Sequence, residues 1–123
     1  MDTKALPSEY TALAPDGSEI RELVRVAGGS MVHCTLPVGA TSLAVTHRTA
    51  EEVWYVVGGR GQIWRKRGHQ ESVADVESGV SLNIEVGTHF QFRNNGDDPL
   101  CIVITTMPPW PGEDEAREVK GRW

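Results

Sequence analysis

The sequence predicts an all-β fold, a barrel or sandwich of short antiparallel strands, on three observations. Short runs rich in Val, Ile, Thr and aromatic residues recur along the chain, Gly-containing turns separate them, and no segment carries a convincing helical period. A length of 123 residues fits one domain and one core.

The expected strands, in order, are Ile20–Val26, Ser30–Leu36, Leu43–Thr46, Val53–Val57, Gly61–Arg65, Val73–Val76, Leu82–Ile84, His89–Arg93 and Leu100–Thr106. Between them, Ala27-Gly28-Gly29, Val57-Gly58-Gly59-Arg60-Gly61 and Asn94-Asn95-Gly96-Asp97 supply residues that tolerate positive φ, as tight hairpins require. Residues 1–19, with Pro7, Pro15 and an Asp16-Gly17 turn signal, read as an irregular arm before a barrel of residues 20–106. Residues 107–123 read as a strap: Pro108, Pro109 and Pro111 remove ladder donors, so this segment crosses the barrel, with Trp110 as an apolar anchor over one opening. Glu113 to Lys120 is at most a marginal helical turn.

Composition narrows the function classes. A formal charge of −5 and 39% hydrophobic residues describe an ordinary globular chain with no long-range attraction to nucleic acid or an anionic membrane. Arg60, Arg65, Lys66 and Arg67 read as a solvated hairpin edge. The N-terminus has no basic and apolar leader and no stretch is long enough to span a membrane, so the expected location is cytoplasmic. Cys34 and Cys101 are too few for a disulfide framework and read as thiols in apolar strands, with a bridge between them left open.

The segment Gly39 to Gly61, GATSLAVTHRTAEEVWYVVGGRG, resembles the first motif of the cupin superfamily: a glycine, five residues, His-x-His, three or four residues, Glu, six residues, glycine. Gly39, His47, Glu52 and Gly59 match it, and Val45 stands at the first histidine position. Gly79, Gly87 and Asn94 match the second motif, where Glu85 replaces the usual proline and Phe90 occupies the histidine position. His89 lies one residue earlier and faces away from the pocket if Phe90 faces in. The resemblance implies a single-domain, RmlC-like jelly roll, that is, a double-stranded β-helix, and a homodimer paired through outer sheets.

It also implies a site. Cupin metal centres use three histidines and a glutamate, a set that suits Fe, Mn, Ni or Zn. Only His47 and Glu52 remain here, and His33 is the candidate for a third ligand if its strand turns it inward. Without metal, His47 and Glu52 form a titratable pair suited to acid–base work. Alternation along the strands adds Trp54, Val56, Gln62, Trp64, Phe90 and Phe92 as lining for a partly apolar small molecule, with Trp110 from the strap.

Three readings follow. The first is a small-molecule-binding cupin without a full metal site, acting as a binding module or as a metal-independent enzyme through His47 and Glu52. The second is a metal-dependent dioxygenase, lyase or isomerase with His47, Glu52 and His33 as ligands. The third is a purely structural or interaction protein whose barrel is filled by its own side chains. The fold hosts many unrelated reactions, so it names no substrate.

Overall fold

A computed structural model describes residues 1–123. It contains eleven strands: β1 Ala12–Leu13, β2 Glu19–Val26, β3 Gly29–Leu36, β4 Val45–His47, β5 Glu51–Gly58, β6 Arg60–Arg67, β7 Gln70–Glu77, β8 Ser81–Ile84, β9 His89–Arg93, β10 Leu100–Met107 and β11 Ala116–Glu118. One sheet has the order β1-β2-β3-β10-β5-β8 and the other β11-β4-β9-β6-β7. Every pairing between strands is antiparallel, and the two inner faces close on one core. No helix long and apolar enough to cross a membrane is present.

Alternation of side chains sets the layers. Along β5, Glu52, Trp54 and Val56 are buried while Glu51, Val53, Tyr55 and Val57 are exposed, the period expected of a strand with one solvated face. Strand β10 answers with Leu100, Ile102, Ile104 and Thr106 inward, and its register places Ile102 opposite Val56, Ile104 opposite Trp54 and Thr106 opposite Glu52. The other sheet contributes Ile63, Val76, Phe90 and Phe92 to the same core. Phe92 meets Trp54 edge to face at 5.2 Å between ring centroids, so one end of the barrel is filled by close aromatic packing.

At the β5–β6 connection the chain passes from one sheet to the other. Gly59 has φ of 75°, and a Cβ there would run into the Pro99 carbonyl oxygen and the Leu100 backbone. Only glycine meets both demands, which accounts for the motif's closing glycine in physical terms. The motif's Asn94 is also structural: its amide donates to the carbonyls of Leu36 and Asp98, both at 2.9 Å, and accepts from the Gly96 N–H at 3.0 Å.

All the runs expected from the sequence are strands, with shifted ends, and two further strands appear. Strand β1 pairs with β2 and the Arg21 side chain donates to the Pro7 and Ser8 carbonyls, so the segment read as an irregular arm is tied to the barrel from Pro7 onward. Strand β11 replaces the helical turn considered for Glu113 to Lys120. It pairs with β4, with Ala116 opposite His47, and supplies an edge partner that a solitary helical turn would not. The C-terminal residues continue onto the outer face of β9, where Gln91 accepts from the N–H groups of Arg122 and Trp123 and donates to the Trp123 carbonyl. Arg93 lies 4.3 Å from the Trp123 ring centroid.

Both cysteines are free. Cys34 points into the core and Cys101 toward the outer face of the same sheet, so neighbouring strands hold the two thiols on opposite sides. Burial pushes the Cys34 thiol well above its usual range. In the basic run, Arg65 donates to the Asn83 carbonyl and Arg67 pairs with Glu85, an exposed pair of small energetic weight.

Candidate functional site

Where the filled end of the core stops, the barrel is hollow. A cavity of about 150 Å³ opens between the two sheets. Strand β4 brings Val45 and His47 to it, β5 Glu52 and Trp54, β9 Phe90, and β10 Ile104 and Thr106. The segment from Ala12 to Ser18, Ile20 and Glu22 of β2, Val32 of β3, Ala116 of β11 and Trp110 of the strap form the remaining walls. An interior closed by its own side chains, the third reading, is not what the chain builds.

Glu52 is 7% exposed, and each carboxylate oxygen has one protein donor. Trp54 Nε1 donates to Oε1 at 3.0 Å and Thr106 Oγ1 to Oε2 at 2.6 Å. Burial raises the Glu52 carboxyl above the ordinary carboxylate range, against the opposing pull of His47 and these two donors. His47 is 5% exposed, and its ring packs edge-on against Phe90 and Trp110 at 5.2 Å each. Its Nδ1 is buried with no hydrogen-bond partner. A buried polar atom without a protein partner costs free energy unless a ligand or a water bonds it.

The elevated Glu52 carboxyl has a measurable consequence. Between the ordinary value of 4.5 and its raised value the folded chain holds a proton that the unfolded chain has released, so stability falls as pH rises through that interval. The cost is absent below the interval and full above it. Glu52→Gln, neutral throughout, is expected to gain on the wild type steadily as pH rises, read as urea midpoints across the range. A difference between the two that stays constant with pH would contradict this.

The lining residues expected from the sequence fall in three different settings. Trp54, Phe90 and Trp110 line the cavity with His47 and Glu52. Val56 and Phe92 face inward but belong to the filled end. Gln62 and Trp64 are corrections, since neither faces the interior. Ile63 lies opposite Phe92 and carries the inward side of β6, because the change of sheet at Gly58–Arg60 breaks the alternation counted from β5. Gln62 instead bonds Asp75 and Arg93, and the Trp64 indole donates to Glu71 at 2.7 Å.

His33 is also corrected. On β3 the inward residues are Val32, which lines the cavity, and Cys34 and Leu36, which join the core; His33 is therefore on the outer face, across from Arg21 and Val103. Burial there lowers its pKa, with the Arg21 charge adding to the effect. Val45 and Phe90 do point into the cavity, at the places where the cupin metal set has histidines. The residues present do not fit that ion, and no group of three or more His, Cys, Asp or Glu side chains is placed to hold one.

Two residues of the site escaped the sequence reading. Asp16 enters the cavity from the N-terminal segment, its Oδ1 accepting from Ser18 N at 2.9 Å and Ser18 Oγ at 2.6 Å. Burial raises its carboxyl, while the Ser18 bonds and the charge of His47 pull the other way. Glu115, 4% exposed, accepts from the N–H groups of Thr49 and Ala50, each at 2.8 Å, and so clamps the turn between His47 and Glu52. The Asp16-Gly17 turn signal was visible in the sequence, but not the pairing that carries it over the barrel.

The fold and this site place the chain among the jelly-roll proteins with a solvent-connected barrel interior. The cupin domain family model matches residues 32–106, and the chain belongs to the cupin family. The uncharacterised protein MJ1618 of Methanocaldococcus jannaschii is 32% identical over 120 residues, covering 90% of this chain and 93% of its own. Among solved structures, a single-substitution variant of Streptomyces PAC13 with uridine is similar at a TM-score of 0.72 and 16% identity, covering 98% of this chain and 93% of PAC13. CapF with the inhibitor 3-isopropenyl-tropolone has a TM-score of 0.72 at 19% identity, over 85% of this chain. This chain spans about a third of that CapF, 32% of its length.

Proposed function

We propose that this cupin binds a small, partly apolar organic molecule in the barrel cavity, with His47 and Glu52 as its polar centre. The observation that carries the reading is the cavity itself: about 150 Å³, walled by Trp54, Phe90 and Trp110, and holding one buried carboxyl and one buried imidazole with an unused nitrogen. A cavity of this volume elsewhere takes a molecule of about the size of benzene. Aromatic walls with a few convergent polar groups are the usual composition of small-molecule sites. CapF and PAC13 were each solved with a small organic molecule, which agrees with a fold suited to such ligands.

Proton transfer is the reaction type this pair favours, if the site is catalytic. Glu52 is held above the ordinary carboxylate range and sits within the electrostatic reach of His47, the pairing that general acid–base chemistry uses. The metal-dependent reading loses its support with His33 on the outer face. A homodimer through the outer face of β5, where Val53, Tyr55 and Val57 are exposed, belongs to the same proposal.

Fragments of six to twelve heavy atoms, titrated against isotope-labelled protein in a chelator, test the binding. The indole N–H of Trp54, which donates to Glu52, is the reporter. Shifts of that signal and of its neighbours around the cavity, lost in the cavity-filling variant Val32→Trp, are expected. Shifts confined to the outer surface, or unchanged by Val32→Trp, would refute the proposal.

A further inference from the structure

The charge of the cavity wall is one-sided. Glu52 and Asp16 line it, Glu22 stands at its exposed edge, and no Lys or Arg side chain reaches it; His47 is the sole basic group. We infer that the ligand is a small organic cation, an ammonium that keeps at least one N–H and carries a compact hydrocarbon body. This rests on the reading of the cavity as an organic-ligand site and goes beyond it by giving the ligand its charge.

Three independent features converge on that class. A buried carboxyl such as Glu52 is costly unless a cation pairs with it, the half-buried Asp16 adds a second carboxyl to the same cavity, and the chain supplies no cation of its own beyond His47. Their acceptor capacity is unspent: Asp16 uses Oδ1 for both Ser18 donors and leaves Oδ2 without a protein donor, and each oxygen of Glu52 takes a single donor where it has room for two. His47 Nδ1 is buried, its ring lines the same cavity, and it lacks a protein partner, so this nitrogen is free to bond a ligand.

The walls suit the same ligand. Trp110 and Phe90 flank His47, Trp54 meets Phe90 edge to face at 5.6 Å, and all three rings line the cavity, so an ammonium bound there has aromatic groups within reach that can attract positive charge. A carboxylate or phosphate ligand would instead face Asp16 and Glu52 with no basic side chain except His47 to receive it. The hydrocarbon body is needed because Val32, Val45 and Ile104 make up much of the remaining wall. The enclosed volume limits that body to about one six-membered ring.

Three probes of one shape separate charge from shape: cyclohexylammonium, cyclohexanol and cyclohexanecarboxylate. Each is titrated into the full chain near neutral pH with a chelator present, followed by calorimetry and by the Trp54 indole signal. Cyclohexylammonium is expected to bind at least about tenfold tighter than the other two. Glu52→Gln and Asp16→Asn are each expected to reduce that advantage severalfold, with the loss falling on cyclohexylammonium far more than on cyclohexanol. Asp16→Asn keeps the one oxygen that both Ser18 donors use, whereas Glu52→Gln keeps an oxygen for one of its two donors and presents an amide N–H that can donate to the Thr106 hydroxyl; the fold of both is checked by circular dichroism.

Equal or tighter binding of cyclohexanol or cyclohexanecarboxylate, with the Trp54 signal moving, would overturn the charge assignment and leave the organic-ligand reading standing. An ammonium preference that survives both variants would overturn it too, because the carboxyl groups would then not be its source. Failure of all three probes to move the Trp54 signal would overturn the organic-ligand reading and this inference with it.

Discussion

Replacing Val45 and Phe90 together by histidine is expected to convert a cavity with two ligating side chains into one that binds a divalent transition metal stoichiometrically. Both positions already point into the cavity beside His47 and Glu52, so the double variant places three imidazoles and one carboxylate around a common space. That is the mixed nitrogen and oxygen set that Fe, Mn, Ni and Zn favour. Affinity for Zn or Ni, by calorimetry, is expected to rise by more than about a hundredfold, since losing even a group that merely orients a ligand costs up to that much. Phe90 is 1% exposed and packs on His47 and Trp54, so the metal-free double variant is expected to lose stability by about 2–4 kcal/mol and to recover much of it with the ion. No gain in affinity in a folded double variant would mean that the barrel, and not only its side chains, has departed from the metal-binding geometry.

Glu115→Ala is expected to be the most damaging single change to the support of the site, at about 2–4 kcal/mol by chemical denaturation. It removes a carboxylate that accepts from Thr49 N, Ala50 N and Thr49 Oγ1, and it leaves the Ala50 N–H, on a residue with 0% exposure, without an acceptor. Burial opposes the charge on Glu115, yet the Thr49 and Ala50 donors outweigh it and hold the carboxyl below its ordinary value. The stabilisation is therefore complete above the ordinary carboxylate value and is lost as pH falls toward the lowered one. Glu115→Gln keeps one acceptor and is expected to lose roughly half as much while abolishing the acid-side decline. A loss below about 0.5 kcal/mol for the alanine variant, the scale of an ordinary surface substitution, would contradict this role.

How far the sequence carries is seen residue by residue. Period-two alternation placed Glu52, Trp54 and Val56 on one face correctly because β5 is a single uninterrupted strand with one wet side. The same counting failed at Gln62 and Trp64, since the chain changes sheets at Gly58–Arg60 and alternation is not transmitted through a glycine turn. The motif spacing brought His47, Val45 and Phe90 to one pocket, but the face of His33 depends on the pairing of β3 with β10, a contact between distant segments. Strand β11 was invisible for a related reason: Ala116–Glu118 is too short and too polar to declare itself, and it exists because β4 offers an open edge. Asp16 and Glu115 reach the site from the two ends of the chain, held there by backbone bonds such as Leu43 N to Asp16 O and Arg48 N to Glu115 O, both at 2.9 Å. Local pattern encodes strands and faces; it does not encode which loop closes over which strand.

Metal content bears most directly on the view of this barrel as a metal-free organic-ligand site. Protein produced without an affinity tag, beside His47→Ala, is analysed for transition metals per chain. Less than stoichiometric metal in both proteins is the expected result. One equivalent of a transition metal in the wild type, lost in His47→Ala, would contradict it and return His47 and Glu52 to the role of metal ligands.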